Sequence, residues 1–166
     1  MIELKEITAN NLSDVLNLSV FEHQKSFVST TAYSLAQAYV YRETAFPFAV
    51  YLDNVVIGFI MFGYYESKQQ YTLWKFLIDK KHQNMGHGKE ALQQGLLILK
   101  KCTGAGEVFT GVALGNKKAK RLYASVGFIP TGLIENNMEE MKYCYTTPRH
   151  KRRLKRRDSS SRPESK

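Results

Sequence analysis

Two glycines between an apolar run and a helix-like segment are the feature that most limits how this chain can fold. Residues 83–91 read Gln-Asn-Met-Gly-His-Gly-Lys-Glu-Ala; they follow the apolar run 73–78 and open a segment with helical apolar spacing, 89–100. A strand, a glycine-bearing turn and a helix in that order leave unpaired N–H groups at the helix start, and glycine lets a ligand approach the backbone closely. The sequence therefore predicts a cradle for a phosphorylated cofactor.

Length and composition predict one globular domain. The chain has 166 residues, 43% of them hydrophobic, with ten Tyr and nine Phe. It contains no apolar run near the roughly 18 residues of a membrane span, and its first residues lack the basic start and apolar core of a signal peptide. Cys102 and Cys144 form no CxxC pair, and we expect each to be a small buried or half-buried apolar side chain. A cytoplasmic protein is the expectation.

The basic charge is concentrated at one end of the chain. The formal net charge is +9, but residues 149–166 contribute +7 and residues 1–148 only +2. After residue 147 the composition becomes basic, serine-rich and almost free of aliphatic side chains, which predicts a folded domain over 1–147 and a disordered tail over 148–166. The tail is either a solvated, self-repelling segment or a contact for nucleic acid or an anionic surface.

The order of predicted elements indicates an α+β domain with a mixed sheet. Alternating or apolar runs predict strands at 2–8, 46–52, 55–65, 71–79, 107–114, 128–131 and 138–145, and helical spacing predicts helices at 12–18, 32–41, 89–100 and 117–125. Asp53 and Asn54 form a two-residue hairpin turn. Asn10 or Asn11 is expected to cap the first helix, and residues 29–31 the second.

The glycine turn also satisfies the dinucleotide-binding pattern G-x-G-x-x-G/A, at 86–91. Three observations count against a nicotinamide or flavin protein. Residues 80–85 separate the turn from the strand. The next strand ends at 112–115 without the acidic residue that binds a ribose, since its acid, Glu107, lies at the start. The unit also follows antiparallel hairpins instead of opening a βαβ series.

A second motif favours another cofactor. Gln83-x-x-Gly86-x-Gly88 resembles the acetyl-CoA pyrophosphate loop of the GNAT superfamily of N-acetyltransferases. About 30 residues later, residues 116–128 are similar to that family's second signature, Asn-x-x-Ala-x-x-Leu-Tyr-x-x-x-Gly-Phe. Both motifs occur in order, and the order of elements matches over roughly 1–146. The resemblance implies a single-domain GNAT fold, with a mostly antiparallel mixed sheet flanked by helices, and acetyl-CoA as co-substrate.

Within that superfamily the chain looks most like bacterial spermine/spermidine acetyltransferases. The likeness rests on residues 24–29, 58–63 and 76–79, the last of these leading into His82 and Gln83. One position departs from it: Trp74 stands where an acidic residue would pair with an ammonium group of a polyamine.

The resemblance implies specific roles for the cofactor-binding residues. Backbone N–H groups of Phe76, Leu77 and Ile78 would hold the pantetheine arm and the thioester oxygen. The pyrophosphate would be wrapped by Gln83, Asn84, Met85, Gly86, His87, Gly88 and Lys89, although His87 and Lys89 fit equally with solvated side chains. Asn116 would cap the following helix and touch the cofactor.

The same resemblance implies that Tyr123 donates a proton to the CoA sulfur, which suits a phenol because it stays protonated near neutral pH. A core aromatic on the helix is the alternative. Glu22, in the region that lines the acceptor site in this family, is the first candidate for the base. Glu43, Glu66 and an ordered water relay are the alternatives, and each glutamate could simply be a surface residue.

These residues predict an enzyme that acetylates a primary amine of a small molecule, with spermidine and spermine as candidate acceptors. Acetylation of a protein N-terminus, a lysine or an aminoglycoside stays open, as does an acetyl-CoA-binding module without turnover that uses its tail to reach nucleic acid. The four histidines show no metal-ligand spacing with each other or with the cysteines, so no metal is expected. A homodimer is the common expectation for the family.

Overall fold

The computed structural model describes residues 1–145, which form one seven-stranded sheet with helices on both faces. The elements in chain order are β1 (Ile2–Glu6), α1 (Leu12–Leu16), α2 (Thr31–Val40), β2 (Ala45–Leu52), β3 (Val55–Tyr65), β4 (Gln70–Ile78), α3 (His87–Thr103), β5 (Glu107–Ala113), α4 (Lys117–Val126), β6 (Ile129–Glu135) and β7 (Met138–Cys144). The α+β class with a mostly antiparallel sheet is confirmed. The predicted boundary at 147 and the basic tail lie outside the described residues.

One pair of strands in the sheet diverges. The strand order is β1-β2-β3-β4-β5-β7-β6, and every neighbouring pair is antiparallel except β4 with β5. That parallel pair is short: Thr72 lies beside Phe109 and Leu73 beside Thr110, and the described register pairs no later residue of β4 with β5. Backbone groups of β4 after Leu73 therefore face a gap in the sheet.

The apolar run of β3 is buried on both faces, which explains why it lacks the alternation of a half-exposed strand. Ile60 and Phe62 belong to the core beneath α3 and α4, whereas Phe59 and Met61 belong to the core beneath α1 and α2. All four side chains are fully buried. The central strands are thus held rigidly between two layers of helices.

Helix capping follows the prediction at two of three sites. Thr30 Oγ1 accepts a hydrogen bond from the Tyr33 N–H at 3.2 Å, and Asn116 Oδ1 accepts one from the Ala119 N–H at 3.2 Å. Asn11 occupies the cap position of α1, but its amide binds the chain before the helix, accepting from the Thr8 N–H at 2.8 Å.

Two predictions from the sequence were wrong in detail. Cys102 and Cys144 are both exposed, because they lie near the ends of α3 and β7 instead of on the core faces. β6 continues to Glu135 and does not end at Thr131; its seven residues are all exposed, so no burial pattern marks its length.

Candidate active site

A cavity of about 470 Å³ lies where β4 and β5 diverge. Residues 73–78 of β4 form one wall and residues 110–113 of β5 the other. The starts of α3 and α4 close one side, and the segment between α1 and α2 contributes residues at 20, 24 and 27–29. The gap in the sheet is therefore a pocket whose walls are formed by the sheet, by the starts of α3 and α4, and by the α1–α2 segment.

The glycine turn places the start of α3 at this cavity. α3 begins at His87, and its cap residue Gly86 has φ +84°, a left-handed conformation that favours glycine. A Cβ on Gly86 would meet no atom within 4 Å, so the fold itself leaves this position open. The first N–H groups of an α-helix have no intrahelical acceptor and carry partial positive charge. The geometry suits a bound anion.

The charge of the cavity wall agrees with an anionic ligand. Lys75, Lys89 and Lys118 line it, and among the described residues that do so there is no carboxylate. Burial lowers the pKa of Lys75, whose Nζ donates to Ser29 Oγ at 2.9 Å. Lys89 and Lys118 stand beside the helix starts. An acidic small molecule would find compensating charge here.

The Gln83 side chain joins four parts of the site. Its Nε2 donates to the Ile78 carbonyl and to Gln24 Oε1, both at 2.9 Å. Its Oε1 accepts from Gln24 Nε2 at 3.0 Å and from Lys118 Nζ at 2.8 Å. The amide is therefore occupied by protein partners, and its side chain positions the glycine turn against β4, α4 and the α1–α2 segment.

Asp79 makes a second connection to the α1–α2 segment. Its carboxylate accepts from the Ser19 N–H at 2.9 Å and from the Lys81 N–H at 3.0 Å, and it caps the short 3₁₀ turn Lys80–His82. Desolvation raises the pKa of Asp79, but these hydrogen bonds outweigh it and leave the pKa below its ordinary value. Asp79 organises the turn, as the sequence predicted.

Tyr123 is buried in α4, with 8% of its surface exposed, and lines the cavity. Its ring packs against Phe128 with 5.7 Å between centroids. Burial raises the pKa of Tyr123 to about 12, against a smaller lowering effect of the Thr110 side chain. The phenol is therefore protonated throughout the physiological range. Tyr123 belongs to both the core and the cavity, so the core-aromatic role is confirmed and the proton-donor role stays a prediction.

The structure brings most of the predicted site residues together. Ten of them line the cavity: Phe76, Leu77, Ile78, Gln83, Asn84, Gly86, Gly88, Lys89, Asn116 and Tyr123. Met85 and His87 belong to the turn but not to the lining, and Met85 is 63% exposed.

The candidate bases lie elsewhere. The Glu22 side chain is 86% exposed, pairs with Lys25 at 2.6 Å and does not line the cavity. Glu43 pairs with Arg42 on the surface, and Glu66 is exposed in the β3–β4 turn. The structure thus gives no positional support to Glu22, Glu43 or Glu66 as a base at this cavity.

Some lining residues received no role from the sequence. Gln24 and Lys118 both bind Gln83, across 59 and 35 positions of the chain, and Ser29 binds Lys75 across 46. Such pairs leave no local pattern, so one sequence without tertiary contacts cannot reveal them.

Two further structural observations concern the described residues. None of the helices in 1–145 has the length and apolarity needed to cross a membrane. Within the same range, no three or more His, Cys, Asp or Glu side chains are grouped so that they could hold a metal ion.

Comparison with known proteins identifies sequence relatives. The chain is 31% identical over 152 residues to a protein named probable spermine N(1)-acetyltransferase from Bacillus subtilis subsp. natto (strain BEST195). It is 30% identical over 152 residues to the spermine/spermidine N(1)-acetyltransferase of Bacillus subtilis (strain 168). Each alignment covers 84% of this chain and 95% of the relative.

Solved structures share the fold at lower identity. Spermidine N-acetyltransferase from Vibrio cholerae, in complex with CoA and spermine, superposes with a TM-score of 0.69 at 17% identity, over 86% of this chain and 95% of that one. PaiA N-acetyltransferase from Thermoplasma acidophilum, in complex with coenzyme A, gives 0.67 at 16% identity, over 87% and 99%. The family model for acetyltransferases of the GNAT family matches residues 12–128. With two motifs, the divergent sheet and these relatives in agreement, the chain belongs to the GNAT family and is an acetyltransferase.

Proposed function

We propose that this enzyme transfers the acetyl group of acetyl-CoA to a primary amine of a polyamine such as spermidine or spermine, by direct attack within a ternary complex. One observation carries the acetyl-CoA part of the proposal: a cavity lined by lysines, with no carboxylate among the described lining residues, runs from the start of α3 to the buried phenol of Tyr123. The names of the Bacillus subtilis relatives support the choice of acceptor.

The chain offers binding groups along the whole cofactor. The start of α3, with the main chain of residues 83–89, would hold the diphosphate, and Lys89 and Lys118 would add charge. Phe76, Leu77 and Ile78 lie where β4 borders the gap beside β5, and those of their backbone groups that point away from β3 would pair with an extended arm. Asn116, at the start of α4, lines the same cavity and would lie beside the arm.

The reaction then requires an amine with a free lone pair, hydrogen bonds to the developing oxyanion, and a proton for the departing sulfur. A neutral amine forms a bond from its nitrogen lone pair to the thioester carbonyl carbon, and the developing oxyanion accepts hydrogen bonds from β4 amides. Donors so placed are worth about 3–4 kcal/mol. The carbon–sulfur bond breaks as the oxyanion collapses, and the departing sulfur takes a proton from Tyr123. The nitrogen loses its surplus proton to water, and the Tyr123 phenolate regains a proton from water before the next turnover.

Tyr123 suits the donor role because its pKa of about 12 keeps the proton in place until the sulfur needs it. A thiol in water has a pKa of about 8.5, so the phenol would not protonate a solvated thiolate. Exclusion of water raises the pKa of a buried thiolate as well. Proton donation is therefore coupled to cleavage of the carbon–sulfur bond, with bound substrates excluding water from the sulfur.

A water relay is the base that the geometry favours. The described residues lining the cavity include no carboxylate, and Glu22 points its charge toward Lys25 on the surface. The surplus proton of the amine would pass along water to bulk solvent.

The test is an amine panel with detection of released CoA thiol. Spermidine, spermine, a simple monoamine, an aminoglycoside and a peptide with a free N-terminus are compared at equal acetyl-CoA. We expect turnover with the polyamines and mass-spectrometric detection of their monoacetyl products. Preference for the peptide or the aminoglycoside would overturn the polyamine assignment, and thiol release independent of any amine would overturn acetyl transfer.

A further inference from the structure

A second cavity, of about 270 Å³, adjoins the first one. The two share six lining residues on the divergent strands and the last hairpin: Leu73, Trp74, Lys75, Thr110, Gly111 and Met138. Gln37 of α2, the β3–β4 turn and the hairpin of β6 and β7 complete its walls. Because the walls are continuous, a molecule bound in the second cavity can present one end to the first.

The two cavities differ in their charges. Glu135 and Glu140 line the second cavity, whereas no carboxylate lines the first among the described residues. Glu140 Oε1 accepts from the Thr131 hydroxyl at 2.8 Å. Glu135 Oε2 lies 3.4 Å from Lys68 Nζ, and the two side chains are 59% and 48% exposed. A half-exposed ion pair at this separation is weak and readily exchanged.

The second cavity also contains polar atoms without a partner. Gln37 Oε1 and Trp74 Nε1 are both buried, and within residues 1–145 neither makes a hydrogen bond. Both side chains belong to the cavity wall. The Trp74 indole packs against Gly63, where a Cβ would overlap the ring, so it is held in place. Buried polar atoms ordinarily find partners, so the wall beside this cavity is left incompletely satisfied in the free protein.

We propose that the second cavity receives the non-reacting ammonium end of a polyamine, and that Glu135 recognises it by exchanging Lys68 for the ligand. The inference rests on the proposed function. In the free protein Lys68 neutralises Glu135, so the carboxylate is never left bare. A ligand ammonium takes over that role, and because the half-exposed Lys68 pair is weak, most of the stabilisation from the new pair is kept. This arrangement gives selectivity for a distal cation instead of tight binding.

Lys75, which also lines both cavities, does not oppose this arrangement. Its Nζ is held by Ser29 Oγ at 2.9 Å and lies 5.4 Å from the centroid of the Tyr33 ring, on the side of the α1–α2 segment. The carboxylates belong to other elements, β6 and β7, and neither of them pairs with Lys75. A cationic ligand therefore meets Glu135 and Glu140 while the Lys75 ammonium stays with its own partners.

The experiment compares kcat/KM for spermidine and for n-butylamine, which lacks the distal cation. Four variants of the full chain are measured: Glu135→Gln, Glu140→Gln, Lys68→Met and the control Glu3→Gln. Glu3 is half-exposed, pairs with Lys5 on β1 and lines neither cavity, so it removes the same charge elsewhere. Circular dichroism and thermal unfolding confirm that each variant is folded.

We expect Glu135→Gln to lower kcat/KM for spermidine about tenfold, the loss of one charged hydrogen bond, and to leave n-butylamine unchanged. Glu140→Gln should lower the spermidine value in the same direction. Lys68→Met should raise it, because the internal competitor is gone. Glu3→Gln should alter neither substrate.

Equal losses for both amines, no loss in either glutamate variant, or a lower spermidine value in Lys68→Met would each overturn the inference while leaving acetyl transfer intact. An unmodified enzyme that turns over no amine would instead overturn the proposed function, and the inference with it.

Discussion

Tyr123 carries the chemical step in the proposed mechanism, and its replacement is the most local test of it. Tyr123→Phe keeps the ring that packs on Phe128 and removes only the hydroxyl. We expect kcat to fall about 100-fold or more, the usual contribution of a positioned proton donor, with the affinity for acetyl-CoA unchanged. Steady-state thiol release with spermidine measures both quantities.

The pH profile gives a second readout of the same residue. With a pKa of about 12, Tyr123 keeps its proton up to the alkaline limit of an assay, so activity should rise with pH as the amine loses its proton and should show no fall below about pH 10. An unchanged kcat in Tyr123→Phe would remove the phenol from the mechanism.

Asp79 links stability to pH. Its pKa lies below its ordinary value of 3.8 in the folded protein, so the unfolded chain binds the proton first as the pH falls. The stabilisation is complete above the unfolded pKa and is lost as the pH falls through the folded pKa. As the pH falls from 5 to about 3, we expect the free energy of unfolding, measured with urea, to decrease more for the wild type than for Asp79→Asn.

Asp14→Asn is the control for this comparison, because Asp14 is an exposed aspartate of α1. Equal acid sensitivity in the wild type and in Asp79→Asn would show that the hydrogen bonds from Ser19 and Lys81 do not hold the carboxylate in solution.

Whether a residue's position in the site could be predicted depends on how far its partners lie along the chain. Tyr123 and Asn116 lie within one 13-residue motif, and Gly86 within another, so the sequence predicted where they would be placed. The pair of Gln24 and Gln83 spans 59 positions, and nothing local indicates that their amides meet. Exposure of Cys102 and Cys144 also depends on where the ends of α3 and β7 lie relative to the core.

At the scale of elements, the start of α3 is the part that would bind the diphosphate in the proposed function. Gly86 and Gly104 flank this one helix with φ of +84° and +72°, and a Cβ on either would meet no atom within 4 Å. Gly86→Ala and Gly104→Ala should therefore cost similar stability, about 1–2 kcal/mol from the left-handed backbone. We expect only Gly86→Ala to weaken CoA binding, by about tenfold or more, in calorimetry.

Gly104→Ala thus serves as the matched control, with the same strain at the end of the helix that faces no proposed ligand. Equal CoA affinity in the two variants would mean that the turn at Gly86 does not hold the diphosphate.

The α1–α2 segment depends on the amide pair for its position. Gln24→Ala removes both hydrogen bonds to Gln83, at 2.9 and 3.0 Å. The α1–α2 segment, which forms one wall of the cavity, then loses its attachment to the glycine turn. With about 1 kcal/mol for each hydrogen bond, we expect the KM for spermidine to rise about fivefold or more, with kcat less affected. Gln93→Ala, an exposed glutamine of α3, is the control, and an unchanged KM in Gln24→Ala would contradict the positioning role.

Helices and strands could be predicted where turn residues or glycines mark their ends. The Asp53-Asn54 turn fixed the β2–β3 hairpin, and the glycine turn fixed the start of α3. β6 was predicted four residues too short because Pro130 and Gly132 interrupt its pattern, and the register with β7 shifts there, between Pro130 and Ile134. Tertiary pairing with β7 extends the strand where local preference does not.

At the scale of the whole molecule, the divergence of β4 from β5 makes the site. Order of elements and the two motifs predicted an α+β fold and a cofactor position on it. They could not show that the parallel pairing stops after Leu73 or that a second cavity with Glu135 and Glu140 adjoins the first, because both depend on contacts among distant strands. In the proposed acceptor site, Glu135 and Glu140 on the last hairpin would replace the carboxylate that is missing at Trp74.

The central claim is that main-chain groups at the glycine turn bind the diphosphate of coenzyme A within the divergent sheet. Isothermal titration calorimetry of the full chain with CoA, and separately with NADH, measures this directly. We expect saturable binding of one CoA per chain and no heat of binding with NADH. A natively folded preparation that gives no heat with CoA, or that binds NADH equally well, would contradict it.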